Sequence, residues 1–131
     1  MKKVVVFGVF DLLHPGHLYF LHEARKCGDH LAVVVTRDAR VMHEKKHKPV
    51  FNERERLEMV TALRMVDSAA LGDRVGEWKI LKKIRPDVVC VGYDQDMAWI
   101  KKSALRKLPR VVRINGKNKK KYGSRNFLLL G

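Results

Sequence analysis

Val4-Val5-Val6-Phe7-Gly8-Val9-Phe10-Asp11-Leu12-Leu13-His14-Pro15-Gly16-His17 is the stretch whose reading decides the fold. Val4 to Phe10 is a continuous, largely β-branched run without alternation, the pattern of a strand buried on both faces. His14-Pro15-Gly16-His17 then opens a helix predicted to run to about Cys27. Pro15 suits its first position, where a missing N–H costs nothing. Leu18, Leu21 and Ala24 recur at helical spacing, and Gly28 is a natural stop. The apolar run after Met1-Lys2-Lys3 is short, Asp11 interrupts it and no small-residue cleavage site follows, so it reads as a strand and not as a signal peptide.

Working outward, Leu31 to Thr36 is a second buried strand, and Arg40 to Lys48 reads as a basic loop. A helix is predicted from about Asn52 to Arg64, with Leu57, Val60, Thr61 and Leu63 inward. Val66 to Leu71 is a short third strand. Glu77 to Ile84 is helical and stops before Arg85-Pro86, because a residue preceding proline avoids the helical region. Val88 to Val91 is a fourth strand closing on Gly92, Met97 to Lys107 another helix, and Val111 to Ile114 a fifth strand. The tail from Asn115 is basic, then apolar at Phe127 to Leu130. Strands alternating with helices through short connections imply right-handed crossovers and a parallel sheet. The expected fold is α/β: one doubly wound, Rossmann-like domain over residues 1–131, with a five-stranded parallel sheet and helices on both faces.

In such a sheet ligands bind at the carboxyl ends of the strands. The segments there are Asp11 to His17, Asp38 to Lys48, Tyr93 to Asp96 and Arg113 to Ser124. At the first of them Gly8 lets the backbone pass close to a ligand. The helix start at Pro15 offers unpaired N–H groups and partial positive charge to an anion, and Gly16 removes a side chain that would block its approach. His14 and His17, three apart, share one face. Asp11 either orients a histidine or holds the turn.

Composition narrows the partners. A chain of 131 residues with 46% apolar and 32% charged residues is an ordinary globular protein. No apolar run approaches the roughly 20 residues that span a bilayer, so no membrane partner is expected. The net charge of +14 suits a phosphate-rich ligand and equally RNA or DNA. The basic residues are spread over many elements, without a zinc knuckle, an aromatic RNP pattern or a helix-turn-helix signature, which disfavours nucleic acid. Cys27 and Cys90 form no framework or metal motif and read as reduced, mostly buried thiols. With the N-terminal run read as a strand and not as a signal peptide, the expected location is the cytoplasm.

The segment GVFDLLHPGH resembles the HxGH signature of the cytidylyltransferase-like nucleotidyltransferases. The similarity continues through Gly28-Asp29-His30-Leu31, Arg37-Asp38, Lys48-Pro49, Glu53 to Arg56, Val66-Asp67 and Gly92-Tyr93-Asp94-Gln95, and reaches Arg113. Within that family the chain is most similar to the archaeal FAD synthases, and next to the glycerol-3-phosphate cytidylyltransferases. The first resemblance implies AMP transfer from ATP to FMN with release of pyrophosphate, by direct in-line attack. The alternatives are a CTP-dependent enzyme acting on glycerol 3-phosphate or a related phospho-alcohol, and a sugar-phosphate adenylyltransferase.

By the same resemblance His14 and His17 contact the triphosphate, and a lysine of the basic loop, Lys45 by counting back from Lys48-Pro49, touches the phosphates. Gly8, Val9, Phe10, Pro15 and Gly16 line the nucleotide. Asp94 receives the ribose hydroxyls or caps its own helix. Arg113 and Ser124 match the terminal phosphate-binding motif, although Arg125 stands where the family has a second hydroxyl. A divalent ion, Mg²⁺, is expected with the triphosphate, and no metal ligands are expected on the protein. The resemblance also allows a homodimer. For a flavin ring the aromatic candidates are Tyr93, Trp99 and Tyr122.

Overall fold

In the computed structural model, which describes residues 1–93, 95, 100 and 105–115, the apolar runs become five strands. They are β1 Lys3–Gly8, β2 His30–Val35, β3 Ser68–Leu71, β4 Val88–Gly92 and β5 Arg110–Ile114. All pair in parallel, in the order β3-β2-β1-β4-β5. Val4, Val5 and Val6 of β1 are fully buried, as a central strand covered on both faces demands.

The helices are α1 Pro15–Arg25, α2 Asp38–Lys45, α3 Glu53–Thr61 and α4 Ile80–Ile84. On one face α1 and α3 cover the sheet, and Leu21, Ala24 and Val60 pack there with Val4, Val6, Leu31 and Val33. On the other face Leu81 and Ile100 pack on Val5, Val34 and Val89. The chain moves outward from β1 to β3 under the first layer and returns to β4 and β5 under the second. Right-handed crossovers require that reversal of face. Strand order therefore switches at β1–β4, and the carboxyl end of β1 is where a ligand is expected.

Several boundaries depart from expectation. β1 ends at Gly8, not Phe10, because Phe10 adopts φ 52 and folds its ring back toward the strand. A Cβ on Gly8 would sit 2.7 Å from the Phe10 ring, so the glycine is required by its own neighbour. β3 begins at Ser68, since Asp67 is held in the preceding turn, its carboxylate accepting from the Leu31 amide at 2.8 Å. Thr61 does not face inward: it is exposed and its hydroxyl donates to the Leu57 carbonyl at 2.7 Å. The buried positions of α3 are Arg56 and Val60.

The segment read as a basic loop from Arg40 holds α2 instead. Only Val41 of that helix is buried, too little apolar periodicity to register in the sequence. Its first turn is held tertiarily: the Asp38 amide donates to Glu53 Oε1 at 2.9 Å and the Glu53 amide returns a bond to Asp38 Oδ2 at 3.1 Å. α4 starts at Ile80, three residues later than expected, because the Asp73 carboxylate accepts from the Lys79 and Ile80 amides. It stops at Ile84, with Arg85 left-handed before Pro86. The helix expected over 97–107 is described only at Ile100, which is helical, while residues 105–107 lie outside any helix.

Candidate active site

The chain leaves β1 at Gly8, turns through Phe10 and reaches His14, the N-cap of α1, with extended φ −147 and ψ 171. His14 Nδ1 accepts from the Gly16 amide at 3.1 Å, and the His14 amide donates to His17 Nδ1 at 3.3 Å. This is a reciprocal capping box built from two imidazoles in place of the usual hydroxyl and carboxylate. The expected bare amides are thus taken: Gly16 N–H serves His14, and the His17 and Leu18 amides donate to the His14 carbonyl at 2.9 and 3.2 Å. An aliphatic N-cap would have left Gly16 N–H open, whereas an imidazole nitrogen two residues away competes for it.

The two rings lie 3.9 Å apart, centroid to centroid, at 33°, and the Phe10 ring meets His17 edge-on at 5.8 Å. Burial lowers the pKa of His17 to about 4, with the neighbouring His14 adding to the effect, and burial also lowers that of His14. Both imidazoles are neutral at pH 7. With each Nδ1 accepting an amide proton, each ring carries its own proton on Nε2. The site therefore presents two preset N–H donors without two buried charges.

That depressed pKa makes stability pH-dependent. Below pH 6.5 the unfolded chain protonates His17 while the folded chain does not until about pH 4. Folding stability then falls as pH drops through this window and levels off beneath it. Urea denaturation should show about 2 to 3 kcal/mol lost through His17 between pH 7 and 4.5. His17→Asn should remove that component, and an unchanged slope in the variant would refute it.

Asp11 holds a turn and does not orient a histidine. Its carboxylate accepts from the Val50 and Phe51 amides at 2.7 and 2.8 Å, tying the segment before α3 to the β1 turn. A residue that sequence reasoning missed completes this frame. Arg56 is fully buried and donates to the carbonyls of Val9 and Thr36 (both 2.8 Å) and Phe51 (3.0 Å), and to Asp38 Oδ1 at 2.6 Å. The ends of β1 and β2 are thereby joined to the starts of α2 and α3. The available signals were its place in the Glu53 to Arg56 match and its spacing four residues before the inward Val60.

A cleft of about 600 Å³ opens beside the β1 mouth, bounded by Gly8 and Val9, by Thr36 after β2 and by Arg40, Glu44 and Lys45 of α2. Lys45, expected near the phosphates, is thus placed on its wall, at the carboxyl end of α2. His14 and His17 stand on the α1 side of the same turn. Arg113 points at the backbone after β4: its Nη1 donates to the carbonyls of Gly92 (2.7 Å), Tyr93 and Gln95 (both 3.1 Å). Gln95 completes that brace, with its amide group on the Phe7 carbonyl at 2.8 Å and the Gly92 amide on its Oε1 at 2.7 Å. Asp94 and Ser124 lie outside the described residues, as do Trp99 and Tyr122. Tyr93 is exposed.

The chain, whose first strand runs into a paired-histidine cap beside this cleft, matches the family model of the cytidylyltransferase-like proteins over residues 5–128. The chain belongs to the cytidylyltransferase-like family. Among relatives of this cytidylyltransferase-like chain, the FAD synthase of Ferroglobus placidus is 48% identical over 122 residues, covering 89% of this chain and 78% of that protein. The FAD synthase of Methanosarcina barkeri is 53% identical over 95 residues, covering 72% and 67% respectively. Among solved structures, the lipopolysaccharide core biosynthesis protein from Thermoplasma volcanium GSS1 is similar at TM-score 0.82 and 36% identity, over 90% of this chain and 99% of that one. Among the described residues of this family member no group of three or more His, Cys, Asp or Glu could hold a metal ion. None of its described helices is long and apolar enough to cross a membrane.

Proposed function

We infer that this chain is an FMN adenylyltransferase, a single nucleotidyltransferase domain that makes FAD and pyrophosphate from ATP and FMN. The observation that carries the reaction class is the stacked pair of neutral imidazoles at the β1 mouth. The choice of acceptor rests on the relatives named FAD synthase.

The chemistry follows from the state of the groups. The FMN phosphate, with its second pKa near 6, is already a nucleophile at pH 7 and needs no general base. One of its oxygens attacks the α-phosphorus in line, a new P–O bond forms, and the bond to the β-phosphate bridging oxygen breaks to release pyrophosphate. His14 and His17 act as Nε2–H donors to the oxygens on which charge is concentrated, and Lys45 supplies a movable point charge. The divalent ion enters with the substrate as MgATP, a form in which magnesium keeps several waters and is held chiefly by phosphate oxygens. Cys27 and Cys90 are free thiols in one core region, which suits a reducing cytoplasm.

The test is direct. Purified protein with FMN, ATP and Mg²⁺, Mn²⁺ or Co²⁺ should yield FAD and pyrophosphate, and a His17→Ala control should yield far less. No FAD above that control with any metal would overturn the reading. Pyrophosphate from CTP and glycerol 3-phosphate alone would move the chain to the other substrate pair.

A further inference from the structure

Part of the cleft lining is apolar: Phe7, Val34 and Ile80 belong to the layer packed on the α4 face of the sheet. Trp78 lines the same cleft, with the Arg40 guanidinium 5.1 Å from the centroid of the indole. We propose that this part of the cleft is the site of the acceptor's planar ring, an isoalloxazine stacked on Trp78 in the place that the Arg40 guanidinium now holds. The inference rests on the adenylyltransferase reading for the identity of the ring, and it makes Trp78 the residue that selects a ring-bearing acceptor.

Four observations lead there. A volume of about 600 Å³ is that of a small-molecule site, with apolar side chains to bury a ring and Arg40, Glu44, Lys45 and Asp73 to orient it. The surface against Trp78 already holds one flat π-system, a guanidinium, and a flat heteroaromatic ring fits the same face. Arg40 has a partner besides the indole, because Glu44 Oε1, one turn on in α2, accepts from its Nε at 2.9 Å. The loop that carries Trp78 is braced at both ends. Arg37 Nε donates to the Gly72 carbonyl at 2.7 Å, and Asp73 accepts from the Lys79 and Ile80 amides at 3.0 and 3.1 Å. The backbone on either side of Trp78 is therefore held before any ligand arrives, which limits the ordering cost of binding.

With its ring at Trp78, the phosphate end of a flavin mononucleotide is left with the other lining residues of the same cleft, Lys45, Gly8 and Val9. A phospho-alcohol has nothing to set against the indole. Of the aromatic residues proposed from sequence, Tyr93 does not line this cleft and Trp99 and Tyr122 lie outside the described residues; Trp78 does line it.

Steady-state kinetics of Trp78→Ala and Trp78→Phe test the proposal. Loss of an aromatic stacking partner should raise the KM for FMN about tenfold or more in the alanine variant. The KM for ATP should stay within about twofold, as expected when only acceptor binding is removed. The phenylalanine variant should recover most of the loss, which a folding defect would not allow. Riboflavin, a ring without phosphate, serves as an independent probe: its fluorescence should be quenched by the wild-type protein and not by Trp78→Ala. An unchanged KM for FMN in Trp78→Ala, an equal rise in the KM for ATP, or quenching of riboflavin undiminished in that variant would each overturn the ring site. Failure of the wild type to make FAD would instead sink the adenylyltransferase reading, and the riboflavin measurement would still decide the ring site.

Discussion

His17→Ala should lower kcat for FAD formation by about 10² to 10³-fold, the usual cost of removing one preset donor to a charged transition state. The effect should fall on kcat more than on the KM for either substrate, because the Nε2–H is worth most where charge is concentrated on the reacting phosphorus. His17 also caps α1 through Nδ1, and losing a cap costs about 1 kcal/mol. That is too small to unfold a domain with the usual 5 to 15 kcal/mol in reserve. Comparing kcat with the urea midpoint of the same variant separates the two roles. A variant with kcat within about threefold of wild type would remove the imidazole pair from the chemistry.

Arg56→Met should be the most destabilising single change, at about 3 to 5 kcal/mol, although methionine nearly fills the same volume. The guanidinium is fully buried and satisfies three carbonyls and one carboxylate. Removing it leaves those carbonyls without their donor in a dry place, and Asp38 without its partner at 2.6 Å. Arg56→Lys should rescue little, since one ammonium cannot span acceptors spread around a planar fork. Urea denaturation measures the loss directly, and a value under about 1 kcal/mol for Arg56→Met would show that the network adds little. Because Val9 lies between Gly8 and the histidines, a folded Arg56 variant should also lose activity.

How far the sequence carries the reader can be traced through particular residues. β1, β2 and β4 were legible as runs of valine, because a strand covered on both faces has no polar phase. α1 was legible from Pro15, the spacing of Leu21 and Ala24, and the stop near Gly28. The α2 segment was misread because it buries one residue and owes its start to Glu53, fifteen positions away. In and just after α3 the expected inward residues Leu57, Val60 and Leu63 do meet the core, while Thr61 is exposed and Arg56 is buried. Helical periodicity counts apolar positions, so it passes over a buried arginine.

The site divides the same way. His14 and His17 could be paired from sequence because three residues in a helix bring two side chains to one face, and helix geometry is local. Chain order alone also set the parallel sheet and the end of it that binds, since right-handed crossovers leave little choice. The tertiary structure alone decided that Gly16 N–H is held by His14, that Arg56 joins Val9 to Asp38, that Arg113 braces the turn after β4, and that Trp78 shares a cleft with Arg40 and Lys45. Arg56 lies 47 residues from Val9 and Arg113 lies 21 from Gly92. Contacts of that kind depend on how packed layers bring loops together, and packing leaves no periodic mark on the chain.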